Sequence, residues 1–234
     1  MTMQLQVLSA GAAKGLVLAL QEQFTATHDA SIDGTFGAVG AIREKLLAGE
    51  PCDVIILTEA IIAALVTERR VVATSVAALG RVYTGIAVPD AQPVPGIGDA
   101  AALRQALLNA RGIYLPDPER ATAGIHFVNV LRALGVYEDV RQWLRPYPNG
   151  ATAMRAMADA GEPDLIGCTQ VTEINYTPGV RLAGTLPREF ELATVYSVGV
   201  CSAGSNRELA HHFAQLLAGP ESCELRVRGG FVVD

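Results

Sequence analysis

Gly34-Thr35-Phe36-Gly37-Ala38-Val39-Gly40-Ala41-Ile42-Arg43-Glu44-Lys45-Leu46-Leu47-Ala48-Gly49-Glu50-Pro51-Cys52-Asp53-Val54-Ile55-Ile56-Leu57 is the stretch on which the fold turns. Small residues lead into a helix, a turn around Pro51 follows, and an unbroken apolar strand closes it. Gly37, Ala38, Val39 and Gly40 put almost no side chain over the first helical turn. N–H groups there lack intrahelical partners, and the helix dipole favours an anion. Glycine can also serve only to ease a turn. No Gly-Lys-Ser/Thr follows, so this is not a Walker loop. The third glycine and acidic partner of a dinucleotide fingerprint are also missing.

The same loop–helix–strand alternation runs outward in both directions. Gln4–Ser9 reads as a strand, and Ser9-Ala10-Gly11-Ala12-Ala13-Lys14-Gly15 is a second small-residue loop leading into a helix through Phe24. Strands are expected at Ala30–Thr35, Asp53–Leu57, Arg81–Val88, Gly112–Leu115, Asp164–Thr169 and Val180–Leu186. Helices are expected near Glu59–Glu68, Asp99–Asn109, Ile125–Leu134, Glu138–Leu144, Ala151–Ala160 and Asn206–Leu217, with a turn at Pro146–Gly150. Uniformly apolar strands alternating with helices indicate a mainly parallel sheet covered on both faces. Thr194–Cys201 matches Arg81–Val88 in length and in its central tyrosine. Read as two crossover strands, with Tyr83 and Tyr196 as hinge residues, they divide the chain into lobe one (1–82 plus 197–234) and lobe two (83–196).

The composition narrows the function classes. With 234 residues, half of them hydrophobic, the chain can bury one sizeable core or two smaller ones. A net charge of −6 without a basic run argues against nucleic acid and acidic membrane surfaces. Cys52, Cys168, Cys201 and Cys223 form no Cys-x-x-Cys and no zinc-spaced cluster, so no metal or other cofactor is expected. The apolar, strand-like settings of Cys52, Cys168 and Cys201 suit buried thiols in a reducing compartment. Met1–Ser9 has no basic region followed by a long apolar run. Read from its first residue, the chain is expected in the cytoplasm; a leader removed ahead of it would make it periplasmic.

Taken in order, these pieces resemble a family. Val7-Leu8-Ser9-Ala10-Gly11-Ala12-Ala13, Phe36-Gly37-Ala38-Val39-Gly40, Leu47-Ala48-Gly49-Glu50-Pro51-Cys52-Asp53-Val54-Ile55-Ile56, Asp117-Pro118 with Thr122-Ala123-Gly124, Gly161-Glu162-Pro163-Asp164-Leu165-Ile166-Gly167 and Gly230-Phe231 are similar to the substrate-binding proteins of ABC transporters. The branch is the one that includes the molybdate-binding proteins. The resemblance implies a two-lobed α/β fold of the periplasmic-binding-protein type 2 kind. Each lobe would have a mixed, mainly parallel sheet flanked by helices, with two crossover strands and an oxyanion held in the cleft by helix N-termini and hydroxyls. An ABC transporter is an implied partner only if a leader has been removed.

The chain departs from that branch where its hydroxyls should be. The branch places a serine in each of the first two loops, which align with Ala12 and with Ala38 or Val39, and its tyrosine in lobe two aligns near Thr169. Molybdate or tungstate is therefore a weaker expectation than a di- or tricarboxylate. The backbone at Gly11, Ala12, Gly37, Ala38, Val39, Ala123 and Gly150 would face the ligand. Ser9, Lys14, Thr35, Thr58, Arg120, Thr122, Asn149, Thr169, Gln170 and Glu173 are the polar groups that loops could aim at it. Arg120 could grip two carboxylate oxygens at once, or be a solvated loop residue. Thr122 could donate to the ligand or cap its helix.

A subgroup of this resemblance includes the aconitate isomerases, with Gln170-x-x-Glu173 and Thr194-Val195-Tyr196-Ser197-Val198-Gly199 as its matching pieces. It implies an alternative: a cofactor-free isomerase moving an allylic proton. His126 and Glu59 are then the candidate catalytic acids or bases. The structural alternatives are a packed histidine and a carboxylate stabilised at a helix start. No Ser/His/Asp or Cys/His arrangement at a recognisable spacing supports nucleophilic catalysis.

Overall fold

A computed structural model describes residues 3–233; Met1, Thr2 and Asp234, which include the two outer bounds expected for lobe one, lie outside the described residues. The chain divides into two compact units, Met1–Val82 with Thr194–Asp234, and Tyr83–Ala193.

Unit 1 opens with β1 (Met3–Ala10), a 3-10 turn (Gly11–Ala13) and α1 (Lys14–His28). It continues through β2 (Ala30–Gly37), α2 (Val39–Leu47), β3 (Val54–Thr58) and α3 (Glu59–Thr67), then enters β4 (Ala77–Pro89). β1 lies between β2 and β3 and is parallel to both, with Ser9 opposite Phe36 on one side and Ile56 on the other. Val54–Leu57 is fully buried, as a strand covered on both faces must be.

Unit 2 takes the second part of β4, followed by α4 (Ala100–Asn109), β5 (Gly112–Pro116), α5 (Thr122–Ala133), α6 (Tyr137–Val140) and β6 (Leu144–Tyr147). Then come α7 (Gly150–Asp159), β7 (Leu165–Gln170), α8 (Val171–Asn175) and β8 (Val180–Thr185). β5 is parallel to both β6 and β7, while β4 is antiparallel to β7 and β8. Asp99 caps α4 through a 2.8 Å bond from the Ala102 N–H, and Gly135, at φ +67°, ends α5 in the left-handed region. Ile86, Leu103, Leu107, Ile113, Phe127 and Leu131 are fully buried in one core cluster of this unit.

The return into unit 1 is β9 (Ala193–Val200), antiparallel to β3, then α9 (Arg207–Ala218) and α10 (Cys223–Gly229). α1 and α9 bury facing apolar stripes, and Phe24 meets Phe213 at 4.8 Å between ring centroids. Burying one such side chain stabilises the fold by about 1.5–3 kcal/mol.

Two expectations need correction. The helix expected over Glu138–Leu144 stops at Val140, a 3-10 turn follows, and Leu144–Tyr147 is strand rather than part of a turn. Pro146 is tolerated there because, among the described residues, β6 pairs on one side only. Two short helices, α8 and α10, were not expected at all.

Candidate functional site

In unit 1, β1, β2 and β3 end side by side, and a helix starts at each end. The 3-10 turn before α1, α2 with Ala38 at its cap position, and α3 with Thr58 at its cap position all lack a side-chain cap hydrogen bond. Ala10 and Ala38 have nothing to offer the free N–H groups and the Thr58 hydroxyl does not cap α3, so the edge presents backbone donors and three positive helix ends. Gly11 and Ala12 are buried in the first of these turns, and Ala38 and Val39 in the second. A Cβ on Gly37 would meet nothing closer than 3.4 Å, so space does not demand glycine there. Lys14 Nζ lies 5.8 Å from the Phe36 ring centroid and adds a cation to this edge. Glu59 is exposed in the first turn of α3. Ser9 is fully buried and its hydroxyl donates to the Ala10 carbonyl at 2.9 Å. That proton is directed to the backbone of the next residue.

In unit 2, the parallel strands β6, β5 and β7 also end at helix starts. α5 begins at Thr122 with Ala121 as its cap residue and no side-chain cap bond, so Thr122 does not cap the helix. Gly124 is required: a Cβ there would stand 2.3 Å from the Asp117 carbonyl oxygen. This close approach presses the buried Ala123 turn onto the end of β5. Asp117 Oδ1 accepts from the Glu119 and Arg120 N–H groups at 2.8 and 3.0 Å, shaping the loop that carries the exposed Arg120 side chain. His126 Nε2 lies 2.7 Å from the Phe190 carbonyl. The carbonyl only accepts, so Nε2 carries the hydrogen, and Nδ1 alone is left for any proton transfer. That limits the catalytic part expected of His126.

Asn149, Gly150, Thr169 and Glu173, expected to face a ligand, are bonded within the protein. Asn149 Oδ1 caps α7, accepting from the Thr152 N–H and hydroxyl at 2.9 Å each. Glu173 is buried. Its carboxyl receives the Thr169 hydroxyl and the N–H groups of Gly150, Ala151 and Gln170. The α7 start is thus filled by the protein's own carboxylate. A Cβ on Gly150 would lie 1.9 Å from Thr169 Oγ1 and 2.1 Å from Glu173 Oε2, so glycine is what lets the plug fit.

Gln170 behaves differently. It is buried at the end of β7, yet neither its Oε1 nor its Nε2 has a hydrogen-bond partner among the described residues. The buried hydroxyls of Thr84 and Thr172 are unpartnered as well. Thr84 stands opposite Gln170 in the β4–β7 register, and Thr172 follows two residues later. Buried polar groups without partners are costly, and a bound ligand is one way to satisfy them. Thr84 and Thr172 belong to no recognisable motif; only the β4–β7 pairing brings Thr84 beside Gln170.

The chain is 26% identical over 185 residues to an aconitate isomerase from Pseudomonas sp, covering 79% of this chain and 68% of that one. It is 24% identical over 227 residues to the molybdate-binding protein ModA of Escherichia coli K12, covering 95% and 87%. The Azotobacter vinelandii periplasmic molybdate-binding protein shares the fold, with a TM-score of 0.79 at 18% identity over 98% of this chain and 99% of that one. A family model, bacterial extracellular solute-binding protein, matches residues 5–232, and the chain belongs to that family.

Proposed function

We propose that this solute-binding protein takes a small organic anion, a di- or tricarboxylate, as its ligand. The observation that carries the reading is the unpartnered carboxamide of Gln170, opposite Thr84 in the strand register, together with the unpartnered hydroxyls of Thr84 and Thr172. A fully ionised tetrahedral oxyanion offers only acceptors, which would leave the Gln170 oxygen unsatisfied. A hydroxy-polycarboxylate such as citrate, or a partly protonated polycarboxylate, offers both donors and acceptors; fully ionised aconitate does not, so citrate is the carboxylate expected to bind most tightly. As a receptor, the protein would hand this ligand to an ABC transporter.

A thermal-shift panel tests the reading. Citrate, cis-aconitate and trans-aconitate are compared with molybdate, tungstate and sulfate, since a ligand that binds only the folded state raises Tm. A shift with one or more of the carboxylates supports the proposal. A shift confined to the inorganic oxyanions overturns it.

The similarity to an aconitate isomerase favours a second reading, in which the bound acid also loses and regains an allylic proton. Glu59, exposed on the unit 1 edge, would be the proton carrier, with the edge amides of the same unit stabilising the enolate-like charge. Ultraviolet absorbance of cis- and trans-aconitate tests it: interconversion that disappears in Glu59→Gln supports the reading, and no change at any enzyme concentration removes it.

A further inference from the structure

Cys52 and Cys201 stand 149 positions apart in the chain, yet their Sγ atoms are 3.3 Å apart in unit 1. Cys52 sits two residues ahead of β3 and Cys201 directly after β9. These strands pair antiparallel, with Val54 opposite Val200. The Cys201 N–H donates to the Asp53 carbonyl at 2.8 Å, so the ladder itself holds the two cysteine backbones side by side. Asp53 anchors the same corner: its carboxylate accepts from the Gln6 N–H at 2.9 Å and the Asn206 N–H at 3.0 Å. Both thiols are buried. To reach a disulfide length of about 2.05 Å, the sulfurs need to approach by only about 1.3 Å.

We propose that Cys52 and Cys201 are a modification site, joined as a disulfide when the chain folds in the presence of a disulfide-form oxidant. One cysteine, as thiolate, attacks a sulfur of the oxidant R–S–S–R, forming a mixed disulfide and releasing the first R–S⁻. The second attacks the protein sulfur of that mixed disulfide and releases the second R–S⁻. The two cysteine protons end on the two released thiolates. The protein pair is oxidised by two electrons and one R–S–S–R is reduced to two R–SH.

The order of events follows from burial. In the folded dithiol, the hydrogen bond from Cys201 and the loss of water hold the Cys52 thiol far above its ordinary value. A protonated, buried thiol exchanges slowly. Oxidation therefore accompanies folding or a local opening of this corner, and the pair records whether the chain folded in an oxidising or a reducing compartment. Cys168, buried in unit 2, and Cys223, on α10, have no sulfur partner among the described residues.

The test unfolds the full chain under reducing conditions and refolds it in a glutathione buffer containing glutathione disulfide. The product is then quenched with acid, alkylated in denaturant and weighed. The expected product carries two alkyl groups, on Cys168 and Cys223, and digestion yields one linked peptide joining Cys52 to Cys201. Reduction of this product should lower Tm by on the order of 10 °C, because the bond closes a long loop. The doubly substituted Cys52→Ala, Cys201→Ala chain should show no reductant-dependent shift. Four alkylated cysteines, a stable glutathione adduct, or a different linked pair would overturn the proposal. If the double variant fails to fold, the mass and peptide map of the unsubstituted chain still decide the matter.

Discussion

Thr169 Oγ1 donates to Glu173 Oε2 at 2.5 Å, four residues along the chain and within the buried interior of unit 2. Burial raises the Glu173 carboxyl above its ordinary value, against the opposing pull of Thr169 and the N–H groups of Ala151, Gln170 and Gly150. The folded chain therefore holds this proton to a higher pH than the unfolded chain. From the unfolded value, about 4.3, up to the folded value, the folded state binds more protons, so stability falls as pH rises. Glu173→Gln is neutral throughout and lacks this slope. Thermal melts between pH 4 and pH 8 should show the variant gaining on the native chain as pH rises; a constant difference would contradict the assignment.

Gly150→Ala should destabilise unit 2 by about 2 kcal/mol, because the added methyl collides with both Thr169 Oγ1 and Glu173 Oε2. Urea denaturation measures the loss. Gly49→Ala is a poor control despite its open surroundings, since φ is +87° there; Gly96→Ala, with open space and no left-handed backbone, should change stability little.

Gln170→Leu separates binding from stability. Removing two unpartnered buried polar atoms should leave the stability of the ligand-free protein unchanged or higher. The same change should weaken the carboxylate ligand by about tenfold or more, consistent with roughly 1.4 kcal/mol or more for lost ligand hydrogen bonds. Calorimetric titration and a thermal melt of the same sample check both parts.

Arg226 provides a stability test away from the proposed ligand site. Its buried guanidinium donates to the carbonyls of Leu79, Ala218 and Gly219 and to the Ser222 hydroxyl. Arg226→Met strands these acceptors near the α9 C-terminus and should cost about 3 kcal/mol, measured by chemical denaturation.

Sequence pattern makes much of this architecture legible: β3 and β5 are apolar runs, and β1 alternates glutamine with aliphatic residues before the small-residue turn at Ala10–Ala13. β6 escaped because Leu144–Tyr147 is short and contains Pro146, which reads as a turn unless the strand pairs on one side only. The bare starts before α1 and α2 could be read locally, since alanine and glycine leave amides without a cap; the α3 start could not, because Thr58 reads as a capping residue. The Asn149–Gly150–Thr169–Glu173 network could not, because Glu173 reaches the α7 start only after β7 has paired with β5. Thr84 and the Cys52–Cys201 approach are likewise products of strand register. Nothing local marks a threonine in β4 as the neighbour of Gln170, or a cysteine before β3 as the neighbour of one after β9.

The preference for a carboxylate over a tetrahedral oxyanion is tested most directly by isothermal titration calorimetry of the purified chain with trans-aconitate, citrate and molybdate in one buffer. The account predicts saturable binding of one carboxylate per chain, at least tenfold tighter than molybdate. Saturable molybdate binding with no heat from either carboxylate would contradict it.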